Sequence, residues 1–197
     1  MDDLARRVGE RLRAARRDRG WSVGALAQTA GIGKGSLSEI ENGVRNPTLS
    51  TLYALAGALG LPLSTLLAGQ TGARVASPGV EALLLDVRES AGWTVEVYRL
   101  VLDPGAVHHS VPHGAGVVEH LLLTRGRARV GRAGEEVEIG TGEAAEWVSD
   151  VAHGYIALSE EPVESVLVIR TPGSSSPESS ASIVAGATTE SDKSAGA

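Results

Sequence analysis

The sequence predicts an all-α bundle of five short helices followed by an all-β sandwich or small barrel and a disordered tail. Three observations predict it. Apolar residues recur at three- and four-residue intervals from Leu4 to Leu67. After Gly72 the texture changes to runs of four to nine residues rich in Val, Leu and Thr, separated by Gly, Pro and Asp. Beyond Thr171 the chain is Ser, Ala, Thr, Gly and Glu with no hydrophobic period, too poor in apolar mass to offset its ordering entropy. At 197 residues, 42% of them hydrophobic, the chain can fill one or two modest cores. Phenylalanine is absent, so those cores must be built from Leu, Val, Ile and Ala.

The first helix carries Leu4, Val8, Leu12 and Ala15 on one stripe and Arg6, Arg7, Arg13 and Arg17 on the other, and Gly20 ends it. Ser22 is an N-cap for a second helix, Val23 to Ala30, and Gly31 supplies the positive-φ turn before a third, Lys34 to Glu41. Asn42-Gly43 stops the third. Asn46-Pro47-Thr48 starts a fourth through Leu49, Leu52, Leu55 and Leu59; Gly60 stops it and Pro62 opens a short fifth to Leu67. The expected strands are Val80 to Val87, Trp93 to Leu102, Val117 to Thr124, Ala128 to Gly131, Glu135 to Ile139, Ala144 to Val148, Gly154 to Leu158 and Val163 to Arg170. The domains expected are therefore a helical unit at 1–69, a linker at 70–79, a β unit at 80–171 and a tail at 172–197.

The net charge of -6 conceals an asymmetry. Residues 1–69 hold nine Lys and Arg against six Asp and Glu, whereas residues 70–197 hold nine against eighteen. Any contact with a polyanion belongs to the first third of the chain. The absence of cysteine excludes disulfides, thiolate metal sites and a Cys nucleophile. No apolar run approaches the ~18 residues of a membrane span, and the charged start has no apolar segment behind it, so a cytoplasmic protein without membrane contact is expected.

From Ser22 to Gly43, Leu26, Ala27, Ile32, Leu37 and Ile40 let two short helices pack at a steep angle, Ala27 being small where they cross. The second of the two then protrudes with Lys34, Gly35, Ser36, Ser38 and Glu39 free of the core, a shape that fits a major groove. Its amino end also directs backbone N–H groups at phosphate. With Glu41-Asn42-Gly43 and Asn46-Pro47 downstream, the tract from about 8 to 68 resembles the Xre/Cro/cI family of DNA-binding domains. The resemblance implies double-stranded operator DNA as partner. Lys34, Gly35, Ser36 and Glu39 then face bases, Asn42 and Arg45 face phosphate, and Arg16 with Glu41 forms a buried ion pair. Val23, where a polar residue often begins the second helix, and the side-chain-free Gly35 depart from the family pattern.

All five histidines lie between 108 and 153. Two imidazoles and a carboxylate, His113, Glu119 and His153, can hold a divalent ion if strands bring them to one face. Strand alternation puts Glu119 with Leu121 and Leu123 and leaves His120 on the opposite side. His108, His109 and His120 read as structural or surface groups. The tract from Pro104-Gly105 through His113, Glu119, Gly126 and Gly142-Glu143 to His153-Gly154 resembles the cupin superfamily, a double-stranded β-helix barrel. The resemblance implies that His113, Glu119 and His153 occupy three of four metal-ligand positions; Ala115 stands at the fourth, and Val148 and Asp150 replace the usual Pro and Gly. No cofactor is certain. The readings left open are a divalent metal ion, a metal-free pocket lined by Tyr98, His113, Glu119, Trp147, His153 and Tyr155 for a small-molecule effector, and a purely structural cluster.

Together the two resemblances imply a transcriptional regulator, not an enzyme, whose cupin domain tunes operator affinity. A homodimer is expected, because one small helix-turn-helix neutralises few phosphates. The competing class is a cupin-type metal-dependent dioxygenase or isomerase with an accessory DNA-binding domain. A third is a regulator whose barrel presents a surface to a protein partner.

Overall fold

The computed structural model describes residues 3–173, so the tail expected at 172–197 lies, from residue 174 onward, outside the described residues. Five helices come first: α1 (Asp3–Asp18), α2 (Val23–Thr29), α3 (Lys34–Glu41), α4 (Leu49–Ala58) and α5 (Leu63–Leu66). Their ends follow the predicted chemistry. Ser22 accepts a hydrogen bond from the Ala25 backbone N–H at 3.0 Å, and Thr48 accepts one from Thr51 at 3.2 Å, each filling a donor the first helical turn leaves open. Val8, Leu12, Leu26, Leu37, Leu52 and Leu55 close the bundle's core. Where α1 crosses α3 the backbones nearly touch: a Cβ on Gly9 would lie 2.3 Å from the Ile40 carbonyl oxygen.

Arg16 and Glu41 form the ion pair that the family resemblance implied. Nε donates to Oε1 at 2.6 Å and a terminal guanidinium nitrogen donates to Oε2 at 2.7 Å, the bidentate geometry that best offsets desolvation of two charges. Arg16 also donates to the Trp21 carbonyl, so α1, the start of α2 and α3 share one fastening.

Ten strands follow: β1 (Arg74–Ser77), β2 (Val80–Ser90), β3 (Trp93–Leu102), β4 (Val107–Ser110), β5 (Val118–Arg125), β6 (Arg127–Arg132), β7 (Val137–Gly140), β8 (Ala144–Val148), β9 (His153–Ala157) and β10 (Val163–Pro172). They form a six-stranded sheet in the order β1-β2-β3-β10-β5-β8 and a four-stranded sheet in the order β4-β9-β6-β7, all antiparallel. The two sheets form a double-stranded β-helix, the architecture that the cupin resemblance implied. β10 is buried at every second residue, Val163, Ser165, Leu167, Ile169 and Thr171, which face the barrel interior.

Two strands were not foreseen. β1 lies inside the stretch expected as linker, and four residues between Gly72 and Gly79 are too few to show a period. β4 reads Val-His-His-Ser, polar in composition, yet His108 and Ser110 turn inward and Val107 and His109 outward. β10 also runs past its expected end at Arg170, because Thr171 and Pro172 still pair with Thr94 and Trp93.

The bundle and the barrel share one continuous hydrophobic core. At the start of α4, Ser50 bonds Ser77 of β1 through backbone N–H and hydroxyl at 3.1 and 2.9 Å. Further along α4, Gly57 lies so near the Pro112 carbonyl oxygen that a Cβ would sit 2.9 Å from it. Removing one member of the Arg16–Glu41 pair strands a buried charge. Glu41→Ala is therefore expected to destabilise the protein by about 3 kcal/mol in urea unfolding, and a loss below about 1 kcal/mol would show that the pair does not hold the bundle.

Candidate functional site

The protruding helix comes first. α3 begins at Gly33, whose lack of a side chain leaves the first-turn N–H groups uncapped, and Lys34, Gly35, Ser38 and Glu39 are exposed beside a half-buried Ser36. Arg45 bends back over this face, donating to Ser36 at 3.2 Å and lying 3.6 Å from Glu39. Exposed pairs of this kind contribute at most about 1 kcal/mol, so Arg45 can leave for a phosphate at little cost. Asn42 is committed to the protein: its amide donates to the Ser38 carbonyl at 2.8 Å and its oxygen accepts from Arg13 at 2.5 Å. The neighbouring Val44 is exposed.

The barrel interior holds the second cluster. Glu119 enters from β5 with no exposure to water. Its Oε1 lies 2.8 Å from His113 Nδ1 and 3.1 Å from His153 Nε2, and the Tyr155 hydroxyl donates to Oε2. His153 Nδ1 is 3.0 Å from the Val151 carbonyl, which can only accept, so Nδ1 carries a hydrogen. A neutral His153 would then turn the lone pair of Nε2 against a carboxylate oxygen. A positive charge must lie between them, either a proton or a metal ion.

The hydrogen-bond geometry agrees. His113 Nδ1 and Nε2, Glu119 Oε1 and His153 Nε2 are all buried without a well-directed hydrogen bond, although one ligand atom from each of the three residues lies within 4.8 Å of the others. Burial opposes ionisation of Glu119, but His113 and His153 outweigh it and hold the carboxyl well below the usual range. Burial likewise opposes charge on His153, and the Glu119 carboxylate and Val151 carbonyl outweigh it, raising its pKa. The residues present fit a divalent cation with one His, His, Glu set and an outer hydrogen bond from His153 to the chain.

Of the other pocket residues expected, Tyr155 and Trp147 flank the cluster, with Trp147 5.8 Å from the Tyr155 ring and 6.1 Å from His153. Tyr98 is fully buried but turns elsewhere: its hydroxyl donates to Glu96 at 3.0 Å. Three residues escaped the sequence reading. Glu96, inward-facing on β3, also accepts from the Ser64 backbone N–H at 2.5 Å, and burial raises its pKa against those hydrogen bonds. Its alternation with Tyr98 and Leu100 was the signal available. His108, read as structural or surface, lines the interior 6.0 Å from Tyr155, and burial followed by the neighbouring imidazoles lowers its pKa. Tyr53 of α4 stacks flat on His113, with centroids 4.1 Å apart and planes within 10°. Nothing in the helical pattern of Leu49, Leu52 and Leu55 marks it. His120 faces outward to Glu146, as expected.

A helix-turn-helix model, HTH_3, matches residues 12–66. The HTH-type transcriptional regulator SutR of Escherichia coli K12 is 30% identical over 178 residues, covering 88% of this chain and all of that protein. The chain belongs to this family of HTH-type transcriptional regulators. An HTH_3 family transcriptional regulator from Vibrio cholerae superimposes with a TM-score of 0.75 at 26% identity, over 86% of this chain and 97% of that one. A cupin_2 domain of an XRE family transcriptional regulator from Enterobacter cloacae, 26% identical, aligns over 46% of this chain and 95% of its own with a TM-score of 0.42. The regulator carries a helix-turn-helix DNA-binding domain followed by a double-stranded β-helix domain, and no helix among the described residues is long and apolar enough to cross a membrane.

The Tyr155 hydroxyl bonds a fully buried carboxylate, an interaction worth more than a neutral hydrogen bond. Tyr155→Phe is expected to lower thermal stability by about 2 kcal/mol, and a melting curve unchanged from wild type would mean that Glu119 is held by the histidines alone.

Proposed function

We propose that the regulator acts in the cytoplasm as a homodimer on operator DNA, and that a divalent metal ion or small polar effector at His113, Glu119 and His153 tunes its operator affinity. The observation that carries this reading is the buried cluster itself: three ligand atoms converge without hydrogen bonds around a point that requires positive charge. A bound divalent ion would supply that charge and hold the three side chains in one arrangement. Ligand control acts only if the ligand binds one placement of the reading helices better than another.

On the DNA side, Lys34, Gly35, Ser36, Ser38 and Glu39 meet base edges, and the uncapped N–H groups of α3 and the releasable Arg45 meet phosphate. Asn42 positions Arg13 and the end of α3 rather than reaching outward. The acidic barrel is held off the duplex by its charge, leaving the basic bundle to approach it. Two half-sites then compensate for the few phosphates one bundle neutralises.

The enzyme reading uses the same His, His, Glu set. The space between α4 and His113 is about 10 Å³, which bars an organic substrate and an organic effector alike in this closed arrangement, so the regulator is favoured by kinship with an HTH-type transcriptional regulator along 88% of the chain.

The test is a fluorescence-anisotropy titration of a duplex selected from genomic fragments, with chelator-treated protein and with added Zn(II) or Mn(II). Lys34→Ala combined with Ser36→Ala is expected to weaken binding roughly tenfold or more with the fold intact, and unchanged affinity would remove α3 as the reader. Metal is expected to shift wild-type affinity and to have no effect on His153→Ala. Identical affinity with and without bound metal would overturn metal control.

A further inference from the structure

The barrel's buried cluster is closed by a residue of the DNA-reading unit. Tyr53 is only 7% exposed and lies face to face with His113, whose ring in turn meets His153 edge-on with centroids 4.7 Å apart. His113 is thus enclosed between α4 and the rest of the cluster. The space left between α4, α5 and the barrel, bordered by Tyr53, Gly57, Glu96, His113 and Ile169, is about 10 Å³, at the lower limit for one water molecule.

Tyr53 is not free to swing away alone. Its neighbours Leu49, Leu52 and Leu55 are locked in the bundle core, and close packing transmits a displacement of one side chain to its helix. Gly57, one turn on, rests against the Pro112 carbonyl in the segment that leads into His113. Glu96 fastens the following helix by accepting the Ser64 N–H. On this side, anything larger than a bare ion must therefore lift α4, and α4 shares its core with Leu37 and Ile40 of the reading helix.

We propose that Tyr53 is the gate of the His113, Glu119, His153 site, so that filling the barrel with an organic ligand and moving the helix-turn-helix are one event. The proposal deepens the regulatory reading of that site, but the gate itself rests on geometry that holds whatever the occupant. It also sorts occupants by size. A metal ion can exchange through small fluctuations, whereas an organic anion or polar metabolite must supply enough binding energy to open the gate.

The experiment uses diethyl pyrocarbonate, which acylates accessible neutral imidazoles, on chelator-treated full-length protein, with peptide mass spectrometry giving the rate at each histidine. The exposed His109 is the internal reference. In wild type His113 is expected to react far more slowly than His109. Tyr53→Ala is expected to raise the His113 rate roughly tenfold or more without changing His109, while Tyr53→Phe, which keeps the stacked ring, retains the wild-type rate. Gly57→Ala provides a second route, since its Cβ must push α4 away from Pro112; it too is expected to accelerate His113, and circular dichroism checks that each variant is folded. Wild-type rates at His113 in folded Tyr53→Ala or Gly57→Ala, or a wild-type His113 as reactive as His109, would overturn the gate. Failure of the operator titration to respond to metal would instead overturn metal control and leave this labelling result standing.

Discussion

A single carboxylate removed from water organises the centre of this protein. Glu119 is fully buried, and a buried unpaired charge costs several kcal/mol, so the barrel has to supply compensating groups from several directions. β9 supplies His153 and Tyr155 at a spacing of two, both on its inward face. The loop before β5 returns His113. The exposed face of that imidazole then needs cover, and the chain provides it from α4, a helix of the DNA-binding domain. The connection between barrel and helical bundle is thus a consequence of burying one charge and does not require a dedicated linker element.

A second ion pair does the equivalent work in the bundle. Arg16 and Glu41 are bidentate and nearly buried, joining the first helix to the end of the reading helix. Between the two charged centres runs an uninterrupted aliphatic core, in which Leu37 and Ile40 of α3, Leu52 and Leu55 of α4, and Val75 and Val80 at the barrel's edge all take part. A chain without Phe fills this space with leucine and valine and places three of its six Trp and Tyr rings at the cluster, where Tyr53, Trp147 and Tyr155 surround the imidazoles.

Much of this was legible in the sequence, for reasons that differ by element. The helices declared themselves because Ser22, Thr48, Gly20 and Gly60 mark ends that capping chemistry demands. Glu119 was placed inward by parity with Leu121 and Leu123, and the structure puts all three in the interior. β1 and β4 were not legible because four residues, at least half of them polar, carry no period. Tyr53 was hidden for a different reason. Local periodicity assigns a residue to a helix face, but which object covers that face is decided by packing between elements some sixty residues apart in the chain, as with Tyr53 and His113. Glu96 was visible as an inward parity position on β3 but was passed over, because its partner is the Ser64 backbone N–H, a group the side-chain sequence does not display.

The central claim is that the helix-turn-helix and the cupin are one body, joined where Tyr53 meets His113 and Glu96 meets Ser64. Differential scanning calorimetry of the full chain tests it most directly. A shared core predicts one cooperative transition with equal calorimetric and van't Hoff enthalpies. Two resolved transitions, with the helical unit melting apart from the barrel, would contradict it.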